Sequence, residues 1–209
     1  MIPNYEIDEF GVIHQIERKP FTYDKAYLSY YEDLSDRTIK LGYQRMGWLL
    51  GMLNRIPDSV LEIGYGSGTF IEAAQIAGVQ KCGGCDIADY PLPEGVDFFD
   101  WDQALATSWE LVAMFDVLEH IPDLEFLKTL DAKYIAIAVP YCRWKELGDD
   151  WFTHWRMRLP DEHLHHFDPE SLSQMMEHYG YKCNNLNTFE DGIRLRAVSY
   201  THLTLPTKA

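Results

Sequence analysis

Glu62-Ile63-Gly64-Tyr65-Gly66-Ser67-Gly68 is the stretch whose reading decides the fold. It continues the short apolar run Val60-Leu61-Glu62-Ile63, which has the pattern of a buried strand. It precedes Phe70 to Ala77, which reads as a helix closed by Gly78. Glycines between a strand and a helix let the backbone turn sharply and approach a ligand closely. In open parallel sheets, ligands bind beyond the carboxyl ends of the strands, where such a turn lies. Two ligand classes compete for it. A dinucleotide fold asks for G-x-G-x-x-G, with pyrophosphate at the helix N-terminus. Here the third glycine, Gly68, comes one residue early, and Thr69 stands in its place. Glu62, two residues before the first glycine, suits a ligand with a positive amino group better than a pyrophosphate.

Working outward, Gln80 to Asp86 reads as a second strand and Val96 to Phe99 as a third. Leu111 to Phe115 is a fourth and Tyr134 to Val139 a fifth, with helical segments between most of them, Asp123 to Leu130 the clearest short one. Strands alternating with helices predict an α/β chain with a Rossmann-like, doubly wound, mostly parallel sheet. Asp86 ends the second strand, 24 residues after Glu62. An acid there can accept hydrogen bonds from both hydroxyls of a ribose, a device that nicotinamide enzymes share.

Residues 1 to about 20 are polar and read as irregular. Residues 22–54 carry Tyr23, Tyr27, Tyr30 and Tyr31, then Leu41, Met46, Leu49, Leu50 and Leu53, at helical spacing. The expected organisation is a helical lead-in over 1–56, a main domain over 57–196, and an irregular cap at 141–167. The cap holds Trp144, Trp151 and Trp155 with His154, His163, His165 and His166. Asp168-Pro169 then opens a helix that Gly180 closes.

The formal net charge of -15, with no lysine- or arginine-rich run, argues against nucleic acid and against an anionic membrane surface as partners. Cys82 and Cys85 form a C-x-x-C pair, but no second pair completes a zinc site. They read as free thiols of a reducing cytoplasm. The N-terminus carries no basic and apolar leader, and no apolar run reaches the roughly 20 residues of a membrane span, so a cytoplasmic protein is expected.

The pattern E-x-G-x-G-x-G resembles motif I of the class I S-adenosylmethionine (SAM)-dependent methyltransferases. Further landmarks follow in the same order. Phe98-Phe99-Asp100-Trp101 resembles the family's adenine-flanking segment. Phe115-Asp116-Val117-Leu118-Glu119-His120 resembles its fourth-strand motif, and Ala138-Val139-Pro140-Tyr141 its fifth-strand ending. Glu162-His163-Leu164-His165-His166-Phe167 is similar to the E-H-x-x-H-F segment of a branch of small bacterial and phage methyltransferases. The resemblance implies S-adenosyl-L-methionine as cofactor. It implies a cofactor site of Glu62, Gly64, Tyr65, Gly66, Gly68, Asp86, Asp100, Trp101 and Asp116, with Arg45 near the methionine carboxylate. Tyr23, Tyr27 and Tyr31 resemble a helix that covers the cofactor in such enzymes, and core packing of an amphipathic helix explains them equally.

Methyl transfer to a small-molecule or glycan-like acceptor is the function this implies. A nicotinamide-dependent oxidoreductase and a non-catalytic binding protein of the same fold are the alternatives. An oxygen or nitrogen acceptor can need a base, and histidine titrates near neutral pH. His163 and His120 are the candidate catalytic residues. The H-x-H-H spacing of His163, His165 and His166 is a possible metal motif, but consecutive His165 and His166 point in different directions, so no metal is expected. The fold normally closes with an antiparallel hairpin, whose first strand Lys182 to Thr188 supplies. Residues 197–209 resemble a translated sequencing adapter, so the last native strand is expected to be missing or replaced and the tail non-native and poorly packed.

Overall fold

In the computed structural model the described residues are 2–21, 35–88, 90–187, 190 and 199–206, with backbone alone described at 35–38 and 199–206. The chain divides into two compact units. One is Met1–Phe21, Phe115–Lys128 and Ala136–Ala209; the other is Thr22–Met114 with Thr129–Ile135.

The second unit holds the glycine turn. Helix α1 (Ser35–Leu53) buries Leu41, Met46 and Leu49 at the spacing of one helical face. The rest of the expected helix, and with it the four tyrosines, lies outside the described residues. Strand β3 (Ser59–Ile63) leads through the turn into α2 (Thr69–Ala77). Gly42 of α1 lies so close to α2 that a Cβ there would sit 2.8 Å from the Thr69 backbone. Strand β4 (Lys81–Cys85) and the short β5 (Asp97–Phe98) follow, then α3 (Trp101–Ala106) and β6 (Trp109–Phe115). β3 pairs in parallel with β4 on one side, up to Ile63 opposite Cys85. On the other it pairs with β6, up to Ile63 opposite Met114. Val60, Leu61, Leu111, Val112 and Ala113 are fully buried, as strands covered on both faces require. Two glycines of β4 are there for packing. A Cβ on Gly83 would meet Trp109 at 2.6 Å, and one on Gly84 would meet Leu92 at 2.7 Å.

The remaining strands are β7 (Ala132–Pro140), β9 (Tyr181–Asn187) and β10 (Ser199–Pro206), and the seven-stranded sheet runs in the order β5-β4-β3-β6-β7-β10-β9. The order reverses about β3, as in doubly wound folds. The α/β, Rossmann-like expectation is met.

Four expectations are corrected. The first 20 residues are not irregular: β1 (Tyr5–Ile7) and β2 (Ile13–Gln15) form an antiparallel hairpin. The Asp8 carboxylate turns it by accepting from the Phe10 and Val12 amides at 2.9 and 2.8 Å. Three-residue strands are too short for a period-2 pattern to show. Their third partner, β8 (His165–His166), comes some 150 residues later in the chain. Second, the helical segment expected over Asp123 to Leu130 is present but shorter, a 3₁₀ segment spanning Leu124–Lys128. Third, the cap is not irregular: it contains α4 (Trp144–His154), interrupted at Gly148 (φ 77°), and a 3₁₀ turn at Arg156–Arg158. Helix α5 (Pro169–His178) then begins at the Asp168 cap, as expected. Fourth, the tail is not without regular structure: β10 occupies the position of the closing strand. β10 pairs antiparallel with β9, its register shifting between Leu203 and Thr204. Tyr200, Thr201 and Thr204 are strand formers whatever their origin, and an edge strand offers unpaired backbone to any such segment.

Candidate cofactor site and histidine cluster

The glycine turn is built on left-handed backbone. Gly64, Gly66 and Gly68 have φ of 71°, 48° and 69°, where a side chain is strained. The Gly64 amide donates to the Cys85 carbonyl at 2.7 Å, tying the turn to the end of β4. The Gly66 amide donates to Asp86 Oδ2 at 3.0 Å, and Asp86 Oδ1 accepts from the Ala88 amide at 2.9 Å. Asp86 therefore links the turn to the strand end and keeps further lone-pair sites for hydroxyl donors. Burial raises its carboxyl above the ordinary range, opposed by the amides of Ala88 and Gly66. Tyr65 is buried, and its hydroxyl donates to the Tyr90 carbonyl at 2.7 Å.

Glu62 lies under this turn, 5% exposed. Burial holds its carboxyl well above the usual range. The Arg45 guanidinium works in the opposite direction, and Asp86 adds to the rise. Its Oε2 has no hydrogen-bond partner among the described residues. Arg45, itself buried on α1, brings its charge to Glu62. A Cβ on Gly66 would meet no atom within 4 Å, so the turn faces open space there. An acceptor oxygen without a donor, beside an open glycine turn, fits a ligand with an ammonium group.

Asp100 caps α3: its Oδ1 accepts from the Gln103 amide at 2.8 Å while its own amide donates to Gln103 Oε1. Trp101 is 37% exposed on the first turn of that helix. Cys82 and Cys85 are buried, and burial pushes their thiols up to about 11 and about 12. Neither is a ready thiolate for redox or metal chemistry.

In the first unit, Asp116 follows β6 in left-handed conformation (φ 56°), and its amide donates to the Ala138 carbonyl at 2.7 Å. A non-glycine residue held there is a mark of local constraint. Beyond it, Leu118–His120 forms a 3₁₀ turn. The Leu164 amide donates to the Glu119 carbonyl at 2.7 Å, which clamps this turn to the E-H-x-x-H-F segment. His120 and His163 consequently meet edge to face, ring centroids 4.6 Å apart. His163 is 4% and Glu119 1% exposed. His120 Nδ1 donates to the Glu162 carbonyl at 3.0 Å and His163 Nδ1 to the Met157 carbonyl at 2.8 Å. Burial, then His163, lowers the His120 pKa to about 3.

His165 and His166 do point to different places. His165 Nε2 donates to the Ile121 carbonyl at 2.9 Å and its Nδ1 lies 2.7 Å from His14 Nδ1, while His14 Nε2 faces Asp8 Oδ2 at 3.0 Å. Burial, then His14, lowers the His165 pKa to about 4. His166 packs against Phe152, centroids 5.1 Å apart, and burial holds it neutral. Sequence reading singled out His163 and His120 but passed over Glu119, His14 and Asp8. The fourth-strand motif contains Glu119, whereas nothing in the lead-in marked His14.

Residues 30–186 match the family described as a methyltransferase domain, and the chain belongs to that family. The fold and the glycine turn define a class I SAM-dependent methyltransferase: S-adenosyl-L-methionine is the cofactor and methyl transfer the reaction. The nicotinamide reading is thereby set aside. Among solved structures, the chain resembles a Burkholderia thailandensis 1,6-didemethyltoxoflavin N1-methyltransferase at 13% identity and TM-score 0.61, covering 98% of this chain and 100% of that one. A plantazolicin methyltransferase is similar at 13% identity and TM-score 0.61, over 88% of this chain and 91% of that one. A SAM-dependent methyltransferase of Aquifex aeolicus gives 13% and 0.60, over 88% and 100%. No curated protein matches the sequence. Among the described residues, no helix is long and apolar enough to cross a membrane.

Proposed function

We propose that the chain methylates a small-molecule or glycan-like acceptor, with the cofactor held at the glycine turn. The observation that carries the cofactor placement is the buried Glu62 Oε2 without a donor among the described residues, beneath a turn that is open at Gly66. Bound SAM supplies an activated methyl group on a sulfonium. The protein's part is orientation and a fitting electrostatic environment. Glu62 receives the methionine ammonium, and the turn of Gly64, Gly66 and Gly68, open at Gly66, takes the amino-acid portion. Asp86 accepts from the ribose hydroxyls. Asp100 and Trp101 lie beside the adenine, Tyr65 completes the site, and Arg45 holds the charge balance of Glu62. Because burial raises the Glu62 carboxyl, an arriving ammonium lowers it again. Binding then releases a proton, and affinity rises with pH up to the pKa of the ligand-free protein.

The test is titration of SAM into Asp86→Ala. Affinity falls by about 5- to 150-fold, the 1–3 kcal/mol of a buried hydrogen-bond partner lost. Unchanged affinity removes Asp86 from the site.

On the acceptor side, two of the similar structures are complexes with 1,6-didemethyltoxoflavin and with a monoazolic desmethyl-plantazolicin analogue. The acidic chain favours neutral or cationic small acceptors over nucleic acid. Residues 141–167 form the acceptor cap. Phe152 anchors it within a core of Ile2, Tyr5, Ile13 and Cys142, with Trp144, Trp151 and Trp155 packed partly buried against that core. His120 and His163 are the side chains that act on the acceptor, and the E-H-x-x-H-F segment supports membership of the small bacterial and phage branch. Detection of S-adenosylhomocysteine across a panel of small molecules, glycans and oligonucleotides tests this. Turnover confined to oligonucleotides overturns it.

A further inference from the structure

Among the described residues, Glu119, His120 and His163 each offer one ligand atom within 4.8 Å of the others. His120 Nε2 stands 4.0 Å from Glu119 Oε1. We propose that these three side chains bind a divalent transition-metal ion of the zinc class, with a coordination position left open.

Three observations support the site. The first is the donor set: two imidazoles and one carboxylate match three-ligand zinc sites that keep a fourth position for water or substrate. The second is the orientation of the imidazoles. A carbonyl can only accept, so His120 and His163 both carry their proton on Nδ1, toward Glu162 and Met157. A ring N–H tied to a backbone carbonyl is the usual second contact of a metal-binding histidine. The third is rigidity. The hydrogen bond between the Leu164 amide and the Glu119 carbonyl joins the two ligand-bearing segments. Ligand atoms about 2.1 Å from a tetrahedral ion are about 3.4 Å apart, so separations that lie within 4.8 Å here need to close by about 1.4 Å at most. A carboxylate only 1% exposed also suits an ion better than solvent.

The ion's role rests on the proposal that His120 and His163 act on the acceptor. The open position would then hold an acceptor oxygen or nitrogen and make its deprotonation easier. The existence of the site does not rest on that reading, because ion binding is measured without acceptor or SAM.

The experiment dialyses the full chain against a chelator and titrates it with Zn²⁺ by calorimetry, with Co²⁺ absorption as a second readout of ligand geometry. One Zn²⁺ per chain is expected, together with a rise in thermal midpoint. Glu119→Gln, His120→Ala and His163→Ala each weaken binding by at least about tenfold, while His178→Ala does not. Glu119→Gln keeps the side-chain shape, so it reports ligation if the histidine variants fail to fold. Absence of saturable binding to the unmodified chain, or binding that survives in Glu119→Gln and both histidine variants, overturns the inference. SAM is titrated into the same preparations. SAM binding without zinc binding overturns the metal site alone, and zinc binding without SAM binding overturns the cofactor assignments alone.

Discussion

The glycine turn and the histidine cluster assemble from the chain in different ways. The turn is nearly local: Glu62 to Gly68 is one unbroken segment, and its main partner, Asp86, ends the next strand. The cluster collects Asp8 and His14, Glu119 to Ile121, and Met157 to His166, brought together by strand pairing and backbone clamps. Burial also shifts the titrations of the two regions in opposite directions. Burial raises the carboxyls of Glu62 and Asp86 and lowers the imidazoles of His120, His165 and His166. Each region is thus held toward its neutral form, and departures from neutral pH act on them with opposite sign.

The largest expected effect tests that opposition. His165 titrates near 6.5 when unfolded and at about 4 in the fold, so below 6.5 the unfolded chain binds more protons. Its contribution to stability is complete above pH 6.5 and is lost as pH falls toward 4, about 3 kcal/mol in all. Urea midpoints from pH 7 to 4 should fall, and His165→Gln should flatten the curve. An unchanged slope in that variant would show that His165 is solvated.

Next comes the separation of roles. Glu62→Ala should weaken SAM by about 100-fold, near the upper end for a hydrogen bond to a charged group. His163→Ala should leave SAM affinity within about twofold. Equal losses in both variants would break the division between a cofactor region and an acceptor region.

Removal of residues 197–209 takes away β10, which lies between β7 and β9 in the sheet order. A loss of about 2 kcal/mol or more is expected, as for other disrupted backbone networks. A change below about 1 kcal/mol in the denaturation curve would show that this tail adds little to stability, as its sequence suggests.

The smallest effect sharpens the picture of the turn itself. Tyr65→Phe deletes one hydrogen bond, to the Tyr90 carbonyl, and should cost about 1 kcal/mol of stability. A larger loss of SAM affinity than of stability would show that the Tyr65 hydroxyl, not only its ring, serves the cofactor.

By itself, the sequence determined the parallel α/β core and the cofactor turn. Strand periodicity, glycines at fixed offsets and acids at strand ends are local signals, and β3, α2, β4 and β6 stand within a residue or two of where those signals put them. Only the tertiary structure decided the rest. The β1–β2 hairpin exists because β8 pairs with it, and α4 reads as irregular because Gly148 interrupts its period. Gly83 and Gly84 resemble a loop but lie in a strand, because aromatic and aliphatic neighbours occupy the space their side chains would take. Glu119 passes as part of a motif until the Leu164 clamp brings His163 beside it. A site made from one segment can be read along the chain. A site made from three depends on which backbone groups pair across long separations, and pairing energies of that kind leave no period in the sequence.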